Sequence, residues 1–242
     1  MKNRNEFDNY DEVMPEGMNQ VHMPIIFLLD VSSSMTPSRD YLNQAANKFL
    51  RDVKSHSVAS QMVEAMIIPF NHDVQGAEHE WKQVREISEV CLNTSGGTDL
   101  SKALKFANGK LKERCNMYEE IGAEVRGPTI FLISDGYGGD ISGIAEEIRK
   151  RVHDSKMMVW VLAVEGYDKH TMALLTEGNR IWEASNDDKA YSFDQFFAFA
   201  SEFVKAKSVS APGEKIAISD ESNPMKRSDS VLKVPDLNDW LN

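Results

Sequence analysis

The stretch Ile25-Ile26-Phe27-Leu28-Leu29-Asp30-Val31-Ser32-Ser33-Ser34 joins five apolar residues to one acid and two alternate serines. An apolar run of this length reads as a strand buried on both faces, as in a parallel sheet. Such a strand ends by delivering a carboxylate and then hydroxyls into a turn. In open α/β sheets, ligands bind outside the carboxyl ends of the strands. Oxygen donors without nitrogen or sulfur suit a small hard cation such as Mg2+.

The rest of the chain supports this reading. Leu42, Ala45, Ala46, Phe49, Leu50 and Val53 recur at helical spacing, after a helix start expected at Thr36-Pro37. Val63 to Phe70 reads as a second strand, and its Pro69 as a strand end or an edge. Val84 to Ile87 reads as a short edge strand. Ser95-Gly96-Gly97-Thr98-Asp99 then breaks the pattern, and Leu100, Ala103, Leu104, Ala107 and Leu111 open another helix. A third apolar run, Ile130-Phe131-Leu132-Ile133, ends in Ser134-Asp135-Gly136. Ile141 to Val152 is helical, Met157 to Val164 a strand, Lys169 to Leu175 a short helix and Ile181-Trp182 a short strand. Phe193, Phe196, Phe197, Ala200, Phe203 and Val204 form the apolar face of a last helix, packed on the sheet. This alternation predicts a doubly wound α/β fold with a mostly parallel central sheet flanked by helices.

Three segments are expected: an acidic arm over 1–22, one domain over 23–206, and a serine-rich flexible tail over 207–242. Leu237, Trp240 and Leu241 share one face of a helical turn, which leaves both a docked and a frayed tail open.

The formal net charge of -11 argues against nucleic-acid binding, which needs clustered Lys and Arg. No apolar stretch approaches the ~18 residues of a membrane span, and residues 1–20 lack the order of a signal peptide. Cys91 and Cys115 are too few for a disulfide framework. These features predict a cytoplasmic protein.

The candidate chemistry lies in Asp30, Ser32, Ser34, Thr98 and Asp135, all at strand ends or in turns. They offer two carboxylates and three hydroxyls. Gly96, Gly97 and Gly136 allow tight turns around them. Two carboxylates match a divalent charge, hydroxyls add donors without charge, and Mg2+ or Mn2+ keeps positions for water or a further ligand. Asp99 and Asp140 read as helix caps. Asp-x-Ser-x-Ser after a first strand, Gly-Gly-Thr-Asp, and a strand ending Ser-Asp-Gly resemble a von Willebrand factor A domain with its metal-ion-dependent adhesion site (MIDAS). The resemblance covers about Met23 to Val204. It implies that the five residues contact the metal, directly or through water. It also implies a protein-binding role in which a partner's Asp or Glu completes the coordination. Arg126-Gly127-Pro128, the following strand, Phe193 to Phe203 and Lys207-Ser208-Val209-Ser210 resemble bacterial cytosolic proteins of the TerY type. That narrower resemblance implies a tellurite-resistance or stress system with a serine/threonine kinase and a phosphatase.

Two other functions compete. An aspartyl phosphotransferase would need a second acid two residues after Asp30, where this chain has Ser32. A serine hydrolase would need Gly-x-Ser-x-Gly, and no dinucleotide fingerprint follows a strand. The histidines, His72, His79 and His153 among them, show no catalytic spacing. The expectation is therefore a non-enzyme. A phosphoester-processing enzyme and a structural subunit that does not use the metal remain as alternatives.

Overall fold

The computed structural model describes residues 21–74, 80–211, 214, 216, 218, 223, 226, 228–237 and 239. The chain begins with β1 (Val21–Asp30), a 3-10 turn (Ser33–Ser38), α1 (Arg39–Ser55), α2 (Ala59–Met62) and β2 (Val63–Phe70). It continues through β3 (Lys82–Gln83), a 3-10 turn (Val84–Glu86), α3 (Leu100–Glu120), β4 (Glu124–Val125) and β5 (Thr129–Ser134). It closes with α4 (Ser142–His153), β6 (Met158–Ala163), α5 (Lys169–Thr176), β7 (Ile181–Glu183) and α6 (Lys189–Val209).

The strands form one sheet in the order β3-β2-β1-β5-β6-β7, with β4 paired to the start of β1. All neighbours run parallel except β3, which is antiparallel to β2. The fold is thus the mostly parallel α/β sheet flanked by helices that the sequence predicts.

Side chains of a strand alternate between faces, and both faces of this sheet are buried. Ile25, Phe27 and Leu29 of β1 and Phe131 and Ile133 of β5 join one core layer with α1 and α6. Ile26, Leu28, Ile130 and Leu132 join the other with α3, α4 and α5. This is why β1 and β5 read as unbroken apolar runs. The phenylalanine stripe of α6 is core: Phe27 stacks on Phe131 at 5.1 Å and on Phe197 at 5.5 Å between ring centroids.

Three local expectations shift. The helix expected at Thr36 starts at Arg39, because Pro37 lies inside a 3-10 turn that precedes it. The edge strand expected at Val84 to Ile87 lies at Lys82–Gln83, whose register is Glu64 with Gln83 and Ala65 with Lys82. Val84 instead turns inward and is fully buried. β2 is not the edge, but β3 covers only its first half, so Pro69 interrupts no ladder on that side.

Residues 1–20 of the expected arm, and Trp240 and Leu241, lie outside the described residues. Val21 and His22 begin β1, and α6 extends to Val209. Within the expected tail, Lys233 pairs with Glu183 of β7, and Leu232 and Leu237 are buried.

Candidate metal centre

β1 and β5 are neighbours in register, Leu29 beside Ile133. Their next residues, Asp30 and Ser134, therefore meet at the carboxyl end of the sheet. Asp30 is fully buried, and both of its oxygens are held. The Ser32 backbone N–H donates to Oδ1 at 2.9 Å, and the Ser134 hydroxyl donates to Oδ2 at 2.8 Å. Ser32 and Ser34 share a hydroxyl–hydroxyl bond of 2.9 Å. Ser34 Oγ donates to Asp135 Oδ2 at 2.6 Å, and Asp135 Oδ1 accepts from the Tyr137 N–H at 3.2 Å. Four of the five expected residues are thus joined in one cluster across about a hundred residues of sequence.

Thr98 is brought to this end of the sheet by its neighbours in the loop. Its loop is clasped to the turn after β1 by Ser95 N–H to Val31 O (2.8 Å) and Ser33 N–H to Gly96 O (3.0 Å). Asp99 N–H then donates to Asn71 O at 2.7 Å, and Leu100 N–H to Gly138 O at 3.1 Å. The Thr98 hydroxyl makes no hydrogen bond among the described residues. It is half-buried, and Ser34 is exposed, so this side of the cluster faces solvent.

Sequence reasoning missed Ser134, Asn71 and Gly138. Ser134 bridges to Asp30, and only the β1–β5 register could have revealed it. Asn71 is buried and its Nδ2 donates to Ser95 O at 2.9 Å, tying the end of β2 to the Thr98 loop. Gly138 has φ +100°, and a Cβ there would lie 2.0 Å from the Thr98 carbonyl oxygen. Only glycine allows this approach. Of the glycines singled out, Gly96 (φ +72°) does turn tightly, its Cβ position 2.6 Å from His72 Nδ1. Gly97 has no such constraint: nothing lies within 4 Å of its Cβ position. Asp99 caps α3 through the Lys102 N–H at 2.9 Å, and Asp140 accepts from the Ser142 N–H at 2.8 Å at the start of α4.

The electrostatics are unbalanced. Burial holds the Asp30 carboxyl above the usual carboxylate range; bonds from Ser32 and Ser134 oppose this, and the nearby Asp135 charge adds to it. Among the described residues no Lys, Arg or His forms an ion pair with Asp30 or Asp135. A buried carboxylate normally has a cationic partner or a metal. No group of three or more His, Cys, Asp or Glu gathers as a metal site among the described residues. The donor set is instead two carboxylates with hydroxyls, and this all-oxygen chemistry fits a hard divalent cation.

The family model of the von Willebrand factor type A domain matches residues 25–137. That span holds β1 from Ile25 onward, the Thr98 loop and Asp135.

The fold is that of a von Willebrand factor type A domain.

The pilus adhesin SpaC of Lactobacillus rhamnosus GG, in its open conformation, superposes with a TM-score of 0.61 at 14% identity. The match covers 78% of this chain and 31% of that one. Manganese-loaded TRAP protein of Plasmodium vivax gives a TM-score of 0.50 at 14% identity, over 73% of each chain. Proximal thread matrix protein 1 of the mussel byssus, with a zinc-occupied MIDAS motif, gives 0.52 at 14% identity, covering 77% of this chain and 49% of that one. The chain thus spans about a third to a half of the length of the solved structures it matches first. No curated protein matches it. Among the described residues no helix of this type A fold is long and apolar enough to cross a membrane.

Proposed function

We propose that this protein is a metal-dependent protein-binding module. Asp30, Ser32, Ser34, Thr98 and Asp135 would hold one Mg2+ or Mn2+ at the carboxyl end of the sheet. One observation carries the proposal: two buried carboxylates, joined through serine hydroxyls, have no cationic partner among the described residues. A bound divalent ion supplies the missing charge and an electrophilic position toward solvent, suited to a partner's Asp or Glu. Two solved structures of the same fold support this, one manganese-loaded and the other with a zinc-occupied MIDAS motif.

The remaining assignments rest on the sequence. The lack of a second acid at Ser32 favours binding over phosphoryl chemistry. The TerY-type resemblance favours a cytoplasmic protein in a tellurite-resistance or stress system, with a kinase and a phosphatase as partners. Immobilised full-length protein tests the proposal. Partner capture from extracts of the native cell is expected in Mg2+, and is expected to be lost in chelator and in Thr98→Ala. Capture that persists unchanged in both would overturn it. Turnover of a phosphoester by purified protein, lost in Asp30→Asn, would favour the enzymatic alternative.

A further inference from the structure

A cavity of about 910 Å3 lies at the amino end of the sheet, opposite Asp30 and Asp135. Gly127 and Pro128, just before β5, and Lys156 and Met157, just before β6, line it together with the C-terminal parts of α3, α4 and α6. Its volume is that of a small-molecule site. Seven Lys and Arg side chains line it against five Asp and Glu, although the whole chain carries a formal net charge of -11. Positive charge is gathered here against the trend of the surface.

The fold builds this cluster. Arg126 pairs with Glu124 at 2.7 Å and donates to the carbonyls of Ser208 at 3.3 Å and Ser210 at 2.7 Å, which clasps the end of α6 to the turn before β5. Gly127 in that turn is left-handed (φ +57°), and a Cβ there would stand 3.1 Å from Lys207 Cγ and 3.2 Å from Lys207 Cε. The bare glycine lets the half-buried Lys207 lay its stem across the turn. Arg151 is held by Asn108. Lys112, Lys150, Lys156, Arg180 and Lys207 remain, and among the described residues they form no ion pair. Lys150 and Lys207 stand in the last turns of α4 and α6, where they complement the helix dipoles. Lys112, Lys156 and Arg180 lie outside any last helical turn. Arg180 holds a left-handed backbone (φ +56°) and sets its guanidinium over the Trp160 ring, 5.9 Å from the centroid. Such strain is kept where the surrounding structure needs the side chain in one place.

We propose that this cavity binds a small phosphate-bearing anion, a polyphosphate or a nucleoside triphosphate, through the cations that line it without a carboxylate of their own. Lysine is a common point-charge partner of phosphate, and a ligand with several negative charges matches several unpaired cations. A long polyanion does not fit, because it would run from the cavity onto an acidic surface. The cavity is independent of the metal site.

The test uses full-length protein in chelator, so that no metal carries the phosphate. Calorimetric titration with sodium tripolyphosphate is expected to find one site. Lys156→Gln/Lys207→Gln, which breaks no ion pair, is expected to weaken binding about ten-fold or more with an unchanged melt. The equal charge change Lys105→Gln/Lys169→Gln, at the carboxyl end of the sheet, is expected to leave binding unchanged. Adenosine triphosphate that binds about ten-fold tighter than tripolyphosphate supports the proposal with a nucleotide as ligand, and equal affinity supports it with a polyphosphate. An absence of heat, or an equal loss in both double variants, overturns the site. A single-stranded oligonucleotide that binds as tightly as tripolyphosphate overturns the small-anion assignment. Should Lys156→Gln/Lys207→Gln fail to fold, amide resonances of wild type decide: tripolyphosphate must move those of Gly127 and Lys156, and shifts confined to the loops of Thr98 and Asp135 overturn the proposal.

Discussion

Asp30 and Glu64 lie on adjacent strands, β1 and β2, at opposite ends of the sheet. Both carboxylates are buried, at 0% and 5% exposure. Glu64 is neutralised from within. Arg114 of α3 reaches its Oε2 through Nε at 2.8 Å and through a terminal nitrogen at 2.6 Å, and the Tyr118 hydroxyl donates to Oε1. Arg114 in turn lies over the rings of Tyr118 and Trp81, and His22 stacks on Tyr118 at 3.9 Å. Asp30 has hydroxyls and a backbone N–H, a second acid nearby, and no cation among the described residues. The fold thus completes one buried charge; under the proposed function a bound cation would complete the other. On that proposal the difference separates a structural carboxylate from a binding one, although burial alone would rank the two alike.

The largest expected effect comes from breaking the completed site. Arg114→Leu leaves Glu64 buried without its guanidinium, with the Tyr118 hydroxyl and His22 still beside Oε1. It should cost about 3 kcal/mol, the low end for a broken buried pair because Arg114 retains some solvent contact. Thermal melts should fall by about 6–12 °C for a domain of this size, and added Mg2+ should leave that deficit unchanged.

The same change in charge at the open site should act in the opposite way. Asp30→Asn removes an uncompensated buried charge, so the metal-free variant should melt no lower than wild type. Saturating Mg2+ at a hundred times its Kd should raise the wild-type melt by the equivalent of about 2.7 kcal/mol, and the variant's melt not at all.

Gly138→Ala tests whether the Thr98 loop belongs to the open site. The new Cβ meets the Thr98 carbonyl in a left-handed backbone. A loss of about 1–3 kcal/mol is expected, with weaker metal binding and unchanged amide spectra around Glu64.

Cys115, next to Arg114 in α3, reports on the completed end. Burial pushes its thiol up to about 11, whereas Cys91 is exposed. A thiol reagent at pH 8 should modify Cys91 promptly and Cys115 only after opening, and Arg114→Leu should speed the second reaction. The smallest effect belongs to Asp73, whose exposed carboxyl is held below the usual range by Lys102. Asp73→Asn should shift neither melt nor metal binding measurably.

The clustering of Asp30, Ser32, Ser34 and Asp135 was largely legible in the sequence, because these residues stand at the ends of unmistakable apolar runs. Asp30 and Asp135 each follow a strand buried on both faces, and turn residues cluster around Thr98. The completed site was not legible. Glu64 and Arg114 are fifty residues apart, and only the packing of α3 over β2 brings them together. Gly138 escaped notice for a related reason: its neighbour is a backbone carbonyl forty residues earlier. β3 was displaced by two residues because Val84, apolar enough for a strand, is drawn into the core by a 3-10 turn. Leu232 and Leu237 were hidden in a serine- and proline-rich segment whose average composition masks two buried anchors.

The central claim is that Asp30 and Asp135 await a cation from outside the chain. Calorimetric titration of Mg2+ into the metal-free, full-length protein tests it most directly. One site is expected in wild type and in the Glu64-side variant Arg114→Leu. Its heat should vanish in Asp30→Asn and in Asp135→Asn. Equal binding in wild type and both aspartate variants would contradict the account.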